Sequence, residues 1–235
     1  MNILNRFLGI FLSPQQTIKA VSGKPVWIDA LIILFIFTAL FSYFTMPYQQ
    51  QDTYQMMQDN VKLRERLGED RFEDYLEGIR TPSTTGILVR SLLLGPLFLF
   101  IGFLFQCLIL LGMGRLSSTE GKYKQIFAVF LHARFIDIGL GGALRLFLVL
   151  SKKSFFQTST SLAVFFPKLE VTSSAYIVLS QFDFFQIWAY GIIGLGLSYV
   201  FKVEPKKGLI TAYVLWFIKT LLYISVGFIS RSFMI

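Results

Sequence analysis

Four ionisable residues lie inside long apolar stretches, where a bilayer or a protein core normally excludes charge. They are His132, Arg134, Asp137 and Lys219. A charge at the centre of a bilayer costs about 2.5–3.5 kcal/mol on insertion scales, so each of these residues needs a partner or a task. Arg134 precedes Asp137 by three residues, and this spacing places both side chains on one face of a helix.

This charged cluster has two interpretations. In the first, Asp137 pairs with Lys219 or with Arg134 and fixes how two spanning helices pack. In the second, the four residues line a path for an ion or a proton. A carrier usually repeats polar positions in several spans, so the pattern favours the structural pair. Arg145 and Arg90 lie nearer the ends of their apolar stretches, and we expect both to extend toward headgroups.

Five apolar stretches position these residues: 26–46, 86–111, 126–150, 184–201 and 208–229. Each can cross a bilayer, because a spanning helix needs about 20 mostly apolar residues and satisfies its own backbone in lipid. Charged residues make up 15% of the chain, whereas soluble domains carry about 25%. The sequence therefore predicts an all-α integral membrane protein, a bundle of five transmembrane helices.

Residues 1–24 predict two short helices ahead of a membrane domain at 25–235. Four apolar residues share one face of the first helix: Leu4, Phe7, Leu8 and Phe11. Such a helix either packs on the bundle or lies in the headgroup layer, and the pattern favours the second position. Ser13, Pro14 and Gln16 have the spacing of a capping box at the start of the second helix.

Two longer segments connect the apolar stretches. Segment 48–85 carries eight acidic and five basic residues. Its helical spacing, with a break at Gly68, predicts a helix–turn–helix that is either a solvated cap or a docking site; we favour the cap. Segment 151–181 alternates apolar and Ser/Thr residues, which predicts a re-entrant or a surface-lying segment.

The lysines and arginines predict the orientation of the chain. Nine of them lie in short segments on the side of the N-terminus, and nine more are spread over longer segments on the opposite side. Short basic loops stay in the cytoplasm, so we expect a cytoplasmic N-terminus and an outside C-terminus. The net charge of +8 then indicates contact with anionic headgroups of the lipid bilayer, and no nucleic-acid partner.

The sequence offers little for catalysis. It has a single cysteine, Cys107, and a single histidine, so an intramolecular disulfide and a Cys/His zinc site are both excluded. Neither H-E-x-x-H nor G-x-S-x-G occurs, and these motifs mark metalloproteases and serine hydrolases. We therefore expect no catalytic residue, no metal and no cofactor.

Three stretches carry a family likeness. Residues 11–17 read F-L-S-P-Q-Q-T and precede K-P at 24–25; residues 183–188 read D-F-F-Q-I-W; residues 194–198 read G-L-G-L-S, ahead of a basic turn and a Trp-containing last span. This order resembles the Ypt/Rab-interacting membrane protein (Yip) family in its bacterial form. The residues that match its motifs are Ser13, Pro14, Asp183, Phe185 and Trp188.

The resemblance implies a five-span protein of the cell membrane with no known catalytic residues. Eukaryotic members act in vesicle traffic and bind prenylated GTPases, but their D-L-Y-G-P stretch has no counterpart in this chain, so GTPase binding is not carried over. The sequence predicts a non-enzymatic membrane-organising or interaction scaffold. The alternative is a small transporter or channel that uses Asp137, Arg134 and Lys219.

Overall fold

The computed structural model describes residues 1–156, 158 and 160–234. Its regular elements are helical, as predicted for an all-α membrane protein. In chain order they are α1 (Ile3–Leu12), α2 (Pro14–Gly23), α3 (Ile28–Gln58), α4 (Val61–Leu67), α5 (Glu69–Arg80), α6 (Thr84–Leu88), a π-helical turn (Val89–Leu94), α7 (Gly95–Arg115), α8 (Tyr123–Arg134), a second π-helical turn (Phe135–Leu140), α9 (Gly141–Lys152), a short helical turn (Leu162–Phe165), α10 (Ser174–Leu179), α11 (Phe184–Phe201) and α12 (Pro205–Met234).

Four helical stretches of the described chain are long and apolar enough to cross a membrane: Ile28–Gln58, Thr84–Arg115, Phe184–Phe201 and Pro205–Arg231. They contain or match four of the five predicted spans. The remaining one, 126–150, lies in the helical run formed by α8, the second π-helical turn and α9. This run is not among the four, so the fifth crossing stays a prediction.

Helix α3 continues well beyond the predicted end of the first span at Met46. It passes through Pro47 and ends at Gln58, with a length of 31 residues. Proline removes one backbone hydrogen bond, and this loss does not end the helix here. Its polar last turns pack against α5, whose Phe72 is buried. Gly68, where we expected a break, separates α4 from α5 with a φ of 77°.

The first half of the third apolar stretch is the centre of the bundle. Every residue from 126 to 137 is buried, because α2, α3, α7 and α11 all pack around α8. In α3, in the α6–α7 span and in α12, only 17% of the residues of the most apolar 18-residue stretch are buried within the protein. Charges on α8 therefore face other helices, and the surrounding helices face the lipid.

Glycines bring α11 and α12 into close contact. A Cβ atom on Gly208 would lie 2.3 Å from the carbonyl oxygen of Gly194, and one on Gly194 would lie 2.7 Å from Cα of Leu209. Close approach of this kind is how small residues hold membrane helices together.

The N-terminal helices fold back on each other as a hairpin, and one side of α1 is buried within the protein. Arg6 and Ile10 are buried, whereas Leu4 and Leu8 of the predicted apolar face are exposed. Ser13 occupies the cap position of α2 but makes no side-chain capping hydrogen bond, so the predicted capping box does not form.

We expect Gly208→Ala to destabilise the α11–α12 pair. The added methyl group meets backbone atoms that cannot rotate away, and overpacking of this kind costs about 1–3 kcal/mol. Thermal unfolding in detergent micelles measures the loss. The matched control is Gly102→Ala, since a Cβ atom there meets nothing within 4 Å. Equal melting temperatures for the two variants would show that the helices have room to separate.

Candidate functional site

The predicted pair of Arg134 and Asp137 forms inside the bundle. Arg134 Nη1 lies 2.7 Å from Asp137 Oδ2, and the two side chains are 4% and 9% exposed. The residues share a helix face across the junction between α8 and the π-helical turn. Removal of one partner from a buried pair leaves an uncompensated charge, so the two residues depend on each other.

Two neighbouring helices complete the surroundings of the guanidinium. Arg134 Nη2 donates to Gln106 Oε1 on α7 at 3.1 Å and to the Tyr190 hydroxyl on α11 at 3.3 Å. Tyr190 in turn donates to Gln106 at 2.8 Å. The guanidinium carbon also lies 4.5 Å from the ring centroid of Phe130 and 5.5 Å from that of Phe103, within cation–π range. Arg134 thus joins α7, α8 and α11.

The sequence allowed Lys219 as a partner of Asp137, but in the structure Lys219 bonds to Gln186 instead. Its Nζ donates to Gln186 Oε1 at 2.6 Å, and it lies 5.5 Å from the ring centroid of Tyr190. Asp137 takes Arg134 as its ion-pair partner. Of the two structural alternatives, the geometry therefore corresponds to the Arg134 pair, with Lys219 held next to it.

His132 joins the bundle to the N-terminal hairpin. The ring is fully buried; its Nδ1 lies 2.8 Å from the carbonyl oxygen of Ala128, and Arg6 Nε donates to its Nε2 at 3.2 Å. This arrangement requires a neutral ring with the proton on Nδ1. Arg6 also pairs with Asp29 at the start of α3.

Sequence reasoning missed Arg6, because the stripe of Leu4 and Phe7 placed it on another face. A signal was present: Arg6 is the only charged side chain in a ten-residue helix whose other side chains are apolar except for Asn5. A lone cation among apolar residues in a membrane protein usually has a buried partner.

Arg145 does not extend toward headgroups as expected. It donates to Asp183 Oδ2 at 3.1 Å and to the Asp137 carbonyl oxygen at 2.6 Å, because the loop before α11 brings a carboxylate within its reach. Asp183 Oδ1 meanwhile accepts from the backbone N–H of Gln186 at 3.0 Å, which caps α11 as the sequence predicted. One carboxylate thus starts a helix and neutralises a cation.

The other family-like residues serve the same packing. Phe185 covers Gly141, where a Cβ atom would lie 2.8 Å from its ring. Trp188 packs edge-on against Phe11, with ring centroids 6.4 Å apart. Ser13 and Pro14 form the turn between α1 and α2. The first two family-like stretches, far apart in sequence, therefore meet in space.

A double-mutant cycle tests the central pair. We expect Asp137→Leu to lower the free energy of unfolding by about 3–5 kcal/mol, because Arg134 is left unpaired. The double variant Arg134→Leu/Asp137→Leu should lose less than the sum of the single changes. Unfolding in mixed detergent micelles gives the three values.

The control is the combination Asp137→Leu/Lys219→Leu, whose losses should add, since Lys219 bonds to Gln186. Rescue of Asp137→Leu by Lys219→Leu would mean that Lys219, and not Arg134, neutralises Asp137.

A sequence model of the Yip1 domain matches residues 8–227. Neither a curated protein nor a solved structure gives a significant match. The match spans nearly the whole chain, from the middle of α1 to α12, and it agrees with the resemblance found in the sequence. The chain belongs to the Yip1-domain family.

Proposed function

We propose that this protein is a non-enzymatic scaffold that organises and shapes the cell membrane, with its N-terminus in the cytoplasm. The observation that carries the proposal is the hairpin of α1 and α2, which packs into one end of the bundle. It would occupy space in one leaflet and leave the other leaflet unchanged. An apolar body inserted on one side expands that side and favours curvature.

The contacts of the hairpin define how deep it reaches. Close to its end, the Ser22 carbonyl accepts from Gln125 near the start of α8 at 2.9 Å. At its turn, Phe11 contacts Trp188, the fifth residue of α11. Each helix has ten residues and is therefore about 15 Å long, which is half the thickness of a typical hydrocarbon core. The hairpin is long enough to fill one leaflet and too short to cross two.

The outer side of the hairpin is suited to lipid. Leu4, Leu8 and Leu12 recur at every fourth position of α1 and are 60%, 44% and 80% exposed. An apolar groove between α1 and α3 continues this surface along Ile36 and Leu40. On its other side α1 packs tightly on α2, because Gly9 approaches Thr17 so closely that a Cβ atom would lie 2.3 Å from its hydroxyl oxygen.

The end of the bundle that holds the hairpin is strongly basic. We call it the basic face, and its exposed cations are Lys24, Arg115, Lys122, Lys124, Lys202, Lys206 and Lys207. Short basic segments of this kind remain in the cytoplasm and attract anionic lipids. They support the proposed orientation and an affinity for anionic headgroups. The hairpin would then lie in the cytoplasmic leaflet.

The absence of enzymatic activity belongs to the same proposal. The single histidine already accepts a hydrogen bond from Arg6, and the single cysteine, Cys107, is buried in α7. A nucleophile–base pair needs two such groups within hydrogen-bonding reach of each other and of a substrate. The arrangement supports a structural task for both residues.

A second candidate is a small transporter or channel that uses Asp137, Arg134 and Lys219. It is favoured by two buried atoms, Asp137 Oδ1 and Arg134 Nε, that have no hydrogen-bond partner among the described residues. In most proteins, buried polar atoms have a protein group or an ordered water as a hydrogen-bond partner. A water-filled path to them would support transport, whereas a dry pair would support the scaffold.

Cysteine labelling in intact cells tests orientation and water access together. In a Cys107→Ala background, we expect a membrane-impermeant thiol reagent to label Thr53→Cys, whereas Lys206→Cys reacts only after permeabilisation. Lys219→Cys should stay unlabelled under both conditions, because it lies between packed aromatic rings. Labelling at position 219 from either side would favour the transporter over the scaffold. Labelling of position 206 in intact cells would reverse the orientation.

Reconstitution tests the proposed shaping of the membrane. On membrane tubules pulled from vesicles, we expect the protein to concentrate on narrow tubules, because its hairpin fills one leaflet. The triple variant Leu4→Ala/Leu8→Ala/Leu12→Ala reduces the side-chain volume that α1 presents to the lipid and should lose most of this enrichment. The matched control Leu97→Ala/Leu108→Ala/Leu222→Ala removes three exposed leucines from spanning helices and should retain it. Equal enrichment for all three proteins would refute the hairpin as the cause.

A further inference from the structure

A mixed polar and apolar cavity opens at the end of the bundle opposite the basic face. It has a volume of about 630 Å³ and lies between α3, α5 and the start of the second span. This volume falls in the range of about 300–1,000 Å³ that small-ligand sites occupy. None of the proposed functions above uses this cavity, and it is separate from the hairpin and the central charges.

The cavity lies where the apolar part of the bundle gives way to polar chain. On α3 its lining changes from Ser42 and Met46 to Gln49, Gln50 and Thr53 within three turns of helix. The apolar part of α3, from Ile28 to Met46, measures about 28 Å at the rise of an α-helix, close to the thickness of the hydrocarbon core. The cavity therefore lies at the level of lipid headgroups.

Two opposite charges line this cavity without pairing. Arg90 extends from the π-helical turn of the second span, and Asp74 extends from α5. Both side chains are exposed, and no ion pair of the described residues joins them or involves either of them. π-Helical turns within longer helices are frequent at functional sites. A cation and an anion held apart around one cavity suit a ligand that carries both charges.

We propose that this cavity binds a phospholipid whose headgroup carries a phosphate and a primary ammonium group. Arg90 presents a planar guanidinium that can donate two parallel hydrogen bonds to the phosphate. Asp74 accepts from the ammonium, and the amides of Gln49 and Gln50 and the hydroxyl of Tyr75 contact the remaining polar atoms. Exposed leucines directly after Arg90, at 92–94, continue the surface toward the acyl chains.

The location at the bilayer boundary favours a lipid over a soluble solute. A lipid diffuses to this position within the membrane, and its tails replace water along Leu92 and Leu93, which are 51% and 60% exposed. Asp74 disfavours a headgroup with a phosphate alone, because like charges would meet. The cavity thus selects for the amine as well as for the phosphate.

Native mass spectrometry in detergent micelles measures the selectivity. Phosphatidylethanolamine and phosphatidylglycerol with identical acyl chains serve as probes. We expect the protein to bind the first about tenfold more tightly, the effect of one charge-assisted contact. Asp74→Asn should bring the ratio close to one. Arg90→Gln should weaken both lipids about tenfold, because both lose their phosphate contact.

A blocking variant places the lipid in this cavity without removing a charge. Gly78 lines the cavity, and a Cβ atom there meets nothing within 4 Å. Gly78→Leu should therefore fill the site, fold normally and lose the preference for the amine headgroup. The matched control Gly102→Leu adds the same side chain to open space on α7 and should bind lipid as the unmodified protein does.

Three results would overturn the proposal. The first is equal affinity of the unmodified protein for the two lipids, and the second is unchanged binding in Gly78→Leu. The third is binding of soluble phosphoethanolamine without retention of any lipid, which would assign the cavity to a water-soluble ligand. Melting temperatures of the variants ensure that a lost preference reflects the site and not unfolding.

Discussion

The ion pair of Arg134 and Asp137, with 2.7 Å between its charged atoms, decides where the other helices of this bundle lie. Lipid offers neither group a hydrogen bond, so the helix that carries them has to be enclosed by protein. Residues 126–137 are accordingly buried on every side, and the helices around them turn their apolar faces outward. Gln106 and Tyr190 accept further hydrogen bonds from one nitrogen of the guanidinium, Nη2. Polar contacts as well as packing thus specify which helices lie next to α8. Apolar side chains alone would specify these neighbours less well, because lipid is as apolar as the side chains themselves.

Periodicity and local spacing predicted much of this arrangement. The bounds of α11, the cap at Asp183 and the shared face of Arg134 and Asp137 all depend on residues within one turn of each other, and such signals are local. The partners of Lys219, Arg145 and Arg6 were not predictable in the same way. Gln186, Asp183 and His132 lie on other elements, and a single sequence does not say which helix neighbours which. The continuation of α3 beyond Met46 was not predictable for a related reason: a helix that leaves the bilayer can continue in water when another helix, here α5, packs on its side.

The same logic of enclosed charge extends to the N-terminal hairpin. Arg6 pairs with Asp29 and donates to His132, so the first ten residues are held to the bundle by a polar contact that water and lipid cannot replace equally well. The family-like residues fit this picture, since Phe11, ahead of Ser13 and Pro14, lies against Trp188. The first two family-like stretches meet at one junction, where the turn of the hairpin contacts the start of α11. The Yip1-domain match beginning at residue 8 includes this junction.

The docking of the hairpin also has a consequence for how the chain is made. Ile18 packs near Gly196, and Arg6 reaches His132, so these two residues of the hairpin are synthesised well before their partners. At about 5–20 residues per second, Gly196 follows Ile18 by roughly 10–35 s. During that interval the hairpin has only the membrane surface to cover its apolar side and to neutralise Arg6. An amphipathic helix at the headgroups, which the sequence favours, suits this interval. The hairpin can dock only after α8 and α11 have been synthesised.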